Sequence, residues 1–310
     1  MKEMLSTINL IQHMKDKGIK FELCTETDAQ NFLENNCFYF RVAAYRQLYP
    51  KIEAGNQKGQ YQNLDFAYLM ELYRIDNKVR SAVMEMYLDI ERSIKTRLIN
   101  DATSNDREDG YNLVKSYLSS TDPYFHTLKL IHQHKSGEYS KELINKYYPY
   151  FPIWALVEVI PFGTLIHISQ YYEQNYHHDI MPKNKFMNII RDLRNASAHG
   201  NCLINNINKE MEASKQPDNE IVNFIKDLNL FSESSRRKHL RRSFVYNITV
   251  LLYVYKEMMS IESQKLKFNQ LKELLDNDLM IHKEYFDSNS SIKSVYRFFS
   301  QIVDKLAKVE

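Results

Sequence analysis

Residues 61–101, YQNLDFAYLMELYRIDNKVRSAVMEMYLDIERSIKTRLIND, decide the fold class. Leu69, Leu72, Val79, Val83, Met86, Ile90, Ile94 and Leu98 recur at steps of three, four and seven. That spacing lays one apolar stripe along an α-helix. Forty unbroken helical residues exceed the usual length, so a break is expected near Arg74–Asp76.

Helical signals continue on both sides. Residues 3–18 read as a first helix, stopped near Gly18, and CTETDAQNFLENN offers Thr25 or Thr27 as the next start, with Phe32 and Leu33 facing inward. Phe40, Ala44 and Leu48 follow at helical spacing before Pro50, and residues 51–60 form a loop. A polar loop ends at Gly110, and 111–148 hold one or two further helices with a mobile middle. In YPYFPIWALVEVIPFGTLIHISQYY (148–172), Pro152 opens a short helix that Pro161 and Gly163 interrupt. Residues 183–199 place Phe186, Ile189, Ile190, Leu193 and Ser197 on an inner face. Residues 231–259 read as one long helix capped by Ser232, Ser234 or Ser235, and the last fifty residues as two amphipathic helices. Glycine and proline number seven each in 310 residues, well under half the usual share of about 12%. The fold expected is therefore all-α: a helical bundle with a core over 61–260 and helical extensions over 1–60 and 261–310, or one compact unit.

A net charge of only +2 excludes a global basic field, so any nucleic-acid site must be a local patch. The 22 tyrosines offer stacking faces and hydroxyls suited to RNA, and serve equally as helix packing. Cys24, Cys37 and Cys202 are odd in number and far apart, which fits a reducing compartment without disulfides or a zinc knuckle. The opening residues are too charged for a signal peptide, and no run of about 18 apolar residues exists. A cytoplasmic protein with no membrane span is expected. His126, His132 and His134 have no Cys or acid at ligand spacing, so neither a metal nor another cofactor is anticipated.

Chemistry concentrates in RDLRNASAHGN, residues 191–201. Arg194 presents a fixed cation and a planar fork for phosphate oxygens, and His199 can move a proton near neutral pH. Together they suffice for metal-independent RNA cleavage. A base takes the ribose 2′-OH proton, that oxygen attacks phosphorus, the cation stabilises the phosphorane, and an acid protonates the leaving 5′-oxygen. Five residues of helix turn a side chain by about 140° and raise it about 7.5 Å, so one Arg–His pair does not converge on one phosphate. Two copies in a homodimer can. Asn195 lies four residues before His199, on the same face, where it can orient the imidazole or touch RNA. Gly200 as the helix end would put His199 at the negative pole of the helix dipole, where a cation is favoured. An arginine and a histidine at this spacing also occur by chance, and a histidine before a terminal glycine is often a plain cap.

The stretch LRNASAHGNCLIN resembles the R-N-x-x-x-H motif of HEPN-superfamily ribonucleases. Three further segments resemble abortive-infection proteins of the Abi-D/F (Abi-2-like) kind. FLENNCFYFRVAAYRQLYP is similar to the L-x3-N-Y-Y-R-L-x-x-Y element, YRIDNKVRSAVMEMYLDIERSIKTRLIN to a D-x-x-L-R…I-E-x-x-L-R-T helix, and YFPIWALVEVIPFGTLIHISQYY to P-x-W-x-x-V-E-x-x-S-F-G-T-L. They stand in the expected order over most of residues 30–206. Two departures are plain: His199 is followed directly by Gly200 where a second histidine is common, and VAAY replaces L-S-G-Y. The resemblance implies a HEPN-like core and a toxin-like, dimeric endoribonuclease of anti-phage abortive infection. It further implies that a structured noncoding RNA can restrain the enzyme. In that reading Arg194 and His199 are catalytic and Asn195 supports them. The rival is a non-catalytic RNA-binding module of a defence ribonucleoprotein.

RRKHLRR (236–242) is the densest charge cluster. Arg236, Arg237, Lys238, Arg241 and Arg242 suit backbone phosphates, or form a solvated helix start whose charge opposes the dipole. Arg41 and Tyr39 are candidate RNA contacts, with a buried arginine salt bridge as the alternative. Glu158, in an apolar stretch, needs a partner if buried, with Arg191 or Arg194 as candidates.

Overall fold

In the computed structural model, residues 4–120 and 125–308 are described. The described chain is all-α, with no strand pairing beyond three isolated bridges. In chain order the helices are α1 (Thr7–Asp16), α2 (Glu26–Asn35), α3 (Tyr39–Ala44) and α4 (Phe66–Thr103). Then come α5 (Asn112–Ser120), α6 (Phe125–Gln133), α7 (Lys141–Tyr147), α8 (Ile153–Val159), α9 (Phe162–Tyr176) and α10 (Asn184–Ala198). The last are α11 (Asn219–Asp227), α12 (Glu233–Leu240), α13 (Ser243–Met258), α14 (Ile261–Asp276) and α15 (Ser290–Ala307).

The apolar stripe of α4 is buried as its spacing requires, with Leu69, Leu72, Val83, Met86, Ile90, Ile94 and Leu98 at 3% exposure or less. The expected break at Arg74–Asp76 is absent, and α4 runs 38 residues without interruption. No glycine or proline lies within it. The polar residues around the expected break are satisfied within the helix: Arg74 donates to Glu71, and Arg80 pairs with Asp76 one turn away.

Local capping explains several starts. Thr25 forms a capping box with Asp28, each side chain accepting from the other's backbone amide. The Asp65 carboxylate accepts from the Ala67 amide in the first turn of α4. Pro152 and Pro161 precede α8 and α9, where a missing N–H costs nothing. Gly163 lies inside α9 and does not interrupt it, and residues 111–148 carry three helices where one or two were expected.

The long helix expected over 231–259 is two. Between α12 and α13, the Arg241 carbonyl accepts from the Met211 amide and the Ser243 amide donates to the Lys209 carbonyl. A loop distant in sequence thus takes backbone groups that a continuous helix would need. Phe40, at helical spacing with Ala44 and Leu48, is 82% exposed while Leu48 is buried. Its helix, α3, is only six residues long and tightens into a 3-10 turn at Tyr45–Leu48, so a full 3.6-residue face never develops.

The chain forms two compact units. The first comprises 1–85, 193–253 and 260–310. In it α14 packs along α15, which buries Val295, Phe298, Phe299, Ile302, Val303 and Leu306 on one face. The second comprises 86–192 and 254–259. Its core includes Tyr87 edge-on to Phe162, together with Leu156, Leu165 and Tyr172.

Candidate functional site

The helix carrying Arg194 and Asn195, α10, ends as a Schellman motif just before His199. The Asn201 amide donates to the Ala196 carbonyl at 2.8 Å and the Gly200 amide to Ser197 at 3.0 Å, with Gly200 at φ +65°. His199 thereby follows directly on the last residue of α10 and is exposed to solvent. Its amide still donates to the Asn195 carbonyl at 3.0 Å, so its place relative to Arg194 is set by the helix.

Arg41 closes this end. Its Nη2 lies 3.5 Å from the His199 carbonyl, and a Cβ added at Gly200 would fall 2.7 Å from that same nitrogen. A guanidinium over the terminal carbonyl complements the helix dipole, the positive φ of Gly200 favours glycine, and a Cβ there would make the guanidinium shift. Arg41 also sits 5.2 Å from the Phe38 ring centroid, and its own carbonyl accepts from the Cys202 thiol. The structure thus brings Arg41 to the motif. Tyr39 is held differently, its hydroxyl accepting from Arg46 at 3.0 Å. Asn195 accepts from the Arg194 guanidinium at 3.0 Å, so it orients the arginine where the spacing had suggested the imidazole.

The segment after the motif is fastened to α4 by Asp76, which is wholly buried. Its carboxylate accepts from the Leu203 and Ile204 amides at 3.1 Å and from the Tyr45 hydroxyl at 2.7 Å, and it pairs with Arg80. Arg80 also donates to the Asn201 carbonyl at 3.3 Å. Burial pushes the Asp76 carboxyl up, while Tyr45, Arg80 and the two amides pull it down. Tyr45, Asp76 and Arg80 escaped the functional reading of the sequence. The signal for Asp76 and Arg80 was the i,i+4 acid–base spacing inside the stretch RIDNKVR, and Tyr45 had none.

The basic run is dispersed by the break after α12. Arg236 donates to the Phe231 carbonyl at 2.6 Å and Arg241 to Gln216 at 3.0 Å, while Arg242 buries Nη1. Arg237 and Lys238 remain exposed, without an ion pair among the described residues. They occupy the last turn of α12, where Ser232 caps the start and Glu233 the first turn. Positive charge therefore complements the dipole here, the reverse of the expected conflict.

His239, in the same run, is buried and stacked on Phe298 with centroids 4.4 Å apart. Its Nδ1 faces the Ser235 carbonyl at 2.8 Å, which can only accept, so that nitrogen carries the hydrogen. Nε2 then accepts from the Ser294 hydroxyl at 3.0 Å. Burial, with Arg242 and Lys238 nearby, holds His239 below the ordinary histidine value against the hydrogen bonds to Ser235 and Ser294.

Glu158 is largely exposed, 4.0 Å from Lys95, and so needs neither arginine proposed for it. Glu91 pairs with Lys95 at 3.2 Å, and Arg97 donates to the Met258 carbonyl at 2.9 Å; both are structural. Burial pushes the Cys24 thiol up to about 12 and Cys37 up to about 11, which leaves little thiolate for nucleophilic chemistry. Among the described residues no group of His, Cys, Asp and Glu is arranged as a metal site, and no helix is long and apolar enough to cross a membrane.

A family model described as Abi-like protein matches residues 31–205. The chain belongs to the Abi-like family. The match spans Arg41, Tyr45, Asp76, Arg80, Arg194 and His199, so the Abi-like region contains the motif, its helix end and the aspartate clamp together. It stops before α11, and the basic run lies outside it. No curated protein and no solved structure matches the chain.

Proposed function

We propose that this Abi-like protein is a metal-independent endoribonuclease of HEPN type acting in bacterial abortive infection. The observation that carries the reading is the end of α10, where an exposed histidine and an arginine oriented by Asn195 share one rigid helical turn and a half. Arg194 supplies the charge that a phosphorane needs, and His199 supplies proton transfer. The pair stands too far around the helix to serve one phosphate alone, so the working site takes a second copy of the chain. The products are a 2′,3′-cyclic phosphate and a 5′-hydroxyl. Phe38 and Phe40, 57% and 82% exposed beside Arg41, give RNA bases faces to stack on.

Purified protein incubated with RNA in EDTA tests this directly. Wild type is expected to cut, while Arg194→Ala and His199→Ala lose about 100-fold or more. Unchanged cleavage in both variants rejects the assignment. Arg237 and Lys238, exposed and without an ion pair among the described residues, favour a second reading, a non-catalytic module that holds a structured RNA. A co-purifying RNA that is never cut, by wild type or in cells, selects that reading.

A further inference from the structure

A cavity of about 310 Å³ opens between α12 and α15 in the first unit, away from every residue of the Arg194–His199 motif. Lys293 and Arg297 line it together with Ser235, Ser290, Ser294 and Gln301, and no carboxylate does. Neither cation forms an ion pair among the described residues; Lys293 reaches only the Asp287 carbonyl. Two cations left uncompensated around one cleft call for an anion.

The hydroxyls define what kind. Ser294 donates its hydrogen to His239 Nε2, and so anchors the ring. Ser235 Oγ lies 3.4 Å from His239 Nδ1, which carries the hydrogen, so the Ser235 hydroxyl keeps its own for a ligand. Ser290, at the first position of α15, is exposed. Two charged and two neutral donors thus face one cleft. The aromatic rings here pack on one another: Phe298 has His239 at 4.4 Å and Phe231 at 4.6 Å between centroids. The cleft therefore has the donors to read a phosphate and no clear ring face to read a base. Two positive charges match the roughly two negative charges of a phosphomonoester, whereas an internal phosphodiester carries one.

We infer that the α12–α15 cleft binds a terminal phosphomonoester through Lys293, Arg297, Ser235 and Ser290. The group comes either from the end of an RNA or from a mononucleotide.

The test uses the full chain carrying His199→Ala, so that cutting does not consume the probe. One fluorescent RNA oligonucleotide is offered with a 5′-phosphate or a 5′-hydroxyl, and anisotropy reads binding. The phosphate is expected to tighten binding by about tenfold, and Arg297→Gln or Lys293→Met to erase that difference. Arg297 is exposed, so its variant should melt as wild type does and carries the test if Lys293→Met is unstable. AMP that competes at concentrations near those of the phosphorylated RNA identifies a mononucleotide site. AMP that competes only at about hundredfold excess or more identifies an RNA end. Equal binding of the two oligonucleotides, with no shift in melting temperature on adding AMP or inorganic phosphate, overturns the proposal. So does an undiminished phosphate preference in Arg297→Gln. Neither result bears on cleavage by Arg194 and His199, which is measured separately.

Discussion

Two aspartates on α4, Asp76 and Asp101, each accept a tyrosine hydroxyl at 2.7 Å, from Tyr45 and Tyr172 respectively. Each also meets a nitrogen base, Arg80 for the first and His178 for the second. The resemblance ends at burial. Asp76 is sealed from water and holds two backbone amides of the segment that follows the Arg–His motif. Asp101 keeps 29% side-chain exposure, and its His178 partner 53%. The same hydrogen bond is therefore a clamp in one unit and a surface tie in the other. Burial decides the difference, because an uncompensated charge or donor in the interior has no water to fall back on.

The largest expected effect is from Asp76→Ala. It strands Arg80, Tyr45 and two amides inside the first unit, so a loss of about 3–5 kcal/mol is expected, read from urea unfolding midpoints. Asp76 is wholly buried, yet the amides it holds begin three residues after Gly200. RNA cleavage should fall with stability and return in part at lower temperature. A variant with an unchanged midpoint would show that the clamp is ornamental and erase the contrast with Asp101.

Gly200→Ala comes next, because Gly200 lies between the motif and the clamp. An alanine must take φ +65°, a conformation costing about 1–2 kcal/mol, and its Cβ makes the Arg41 guanidinium shift. If the clamp alone shapes the site, cleavage should track the modest stability loss. If Arg41 over the terminal carbonyl also matters, cleavage falls much further than the midpoint does, and Arg41→Ala reproduces that loss with little change in stability.

How much of this was legible in the sequence depends on whether the deciding interaction was local. The buried stripe of α4 and the helix end at Gly200 follow from residues within one or two turns, and both were readable. The break predicted at Arg74–Asp76 is absent because Asp76, besides its local pair with Arg80, is held by Tyr45 and by 203–204, far away in sequence. The break at Arg241–Arg242 was missed for the same reason, since residues 209–211 supply it. At the candidate site, Arg194 and His199 stand out only through the resemblance of their stretch to a known motif, since their spacing also arises by chance, whereas the seat of Arg41 beside Gly200 depends on a contact 158 residues long in sequence.

The smallest effect is at Asp101. Its carboxyl sits below the ordinary value: desolvation pushes it up, but the hydrogen bonds from Tyr172 and His178 outweigh that. A lowered carboxyl adds stability that is complete above the unfolded value of about 3.9 and disappears as pH falls through the folded one. With the pair this exposed, the contribution should stay below about 1 kcal/mol. Asp101→Asn should therefore lower the urea midpoint slightly at pH 5.5 and by less at pH 2. An equal deficit at both pH values would mean that Asp101 acts by shape and hydrogen bonding, not by charge. A deficit as large as that of Asp76→Ala would mean that exposure does not separate the two aspartates.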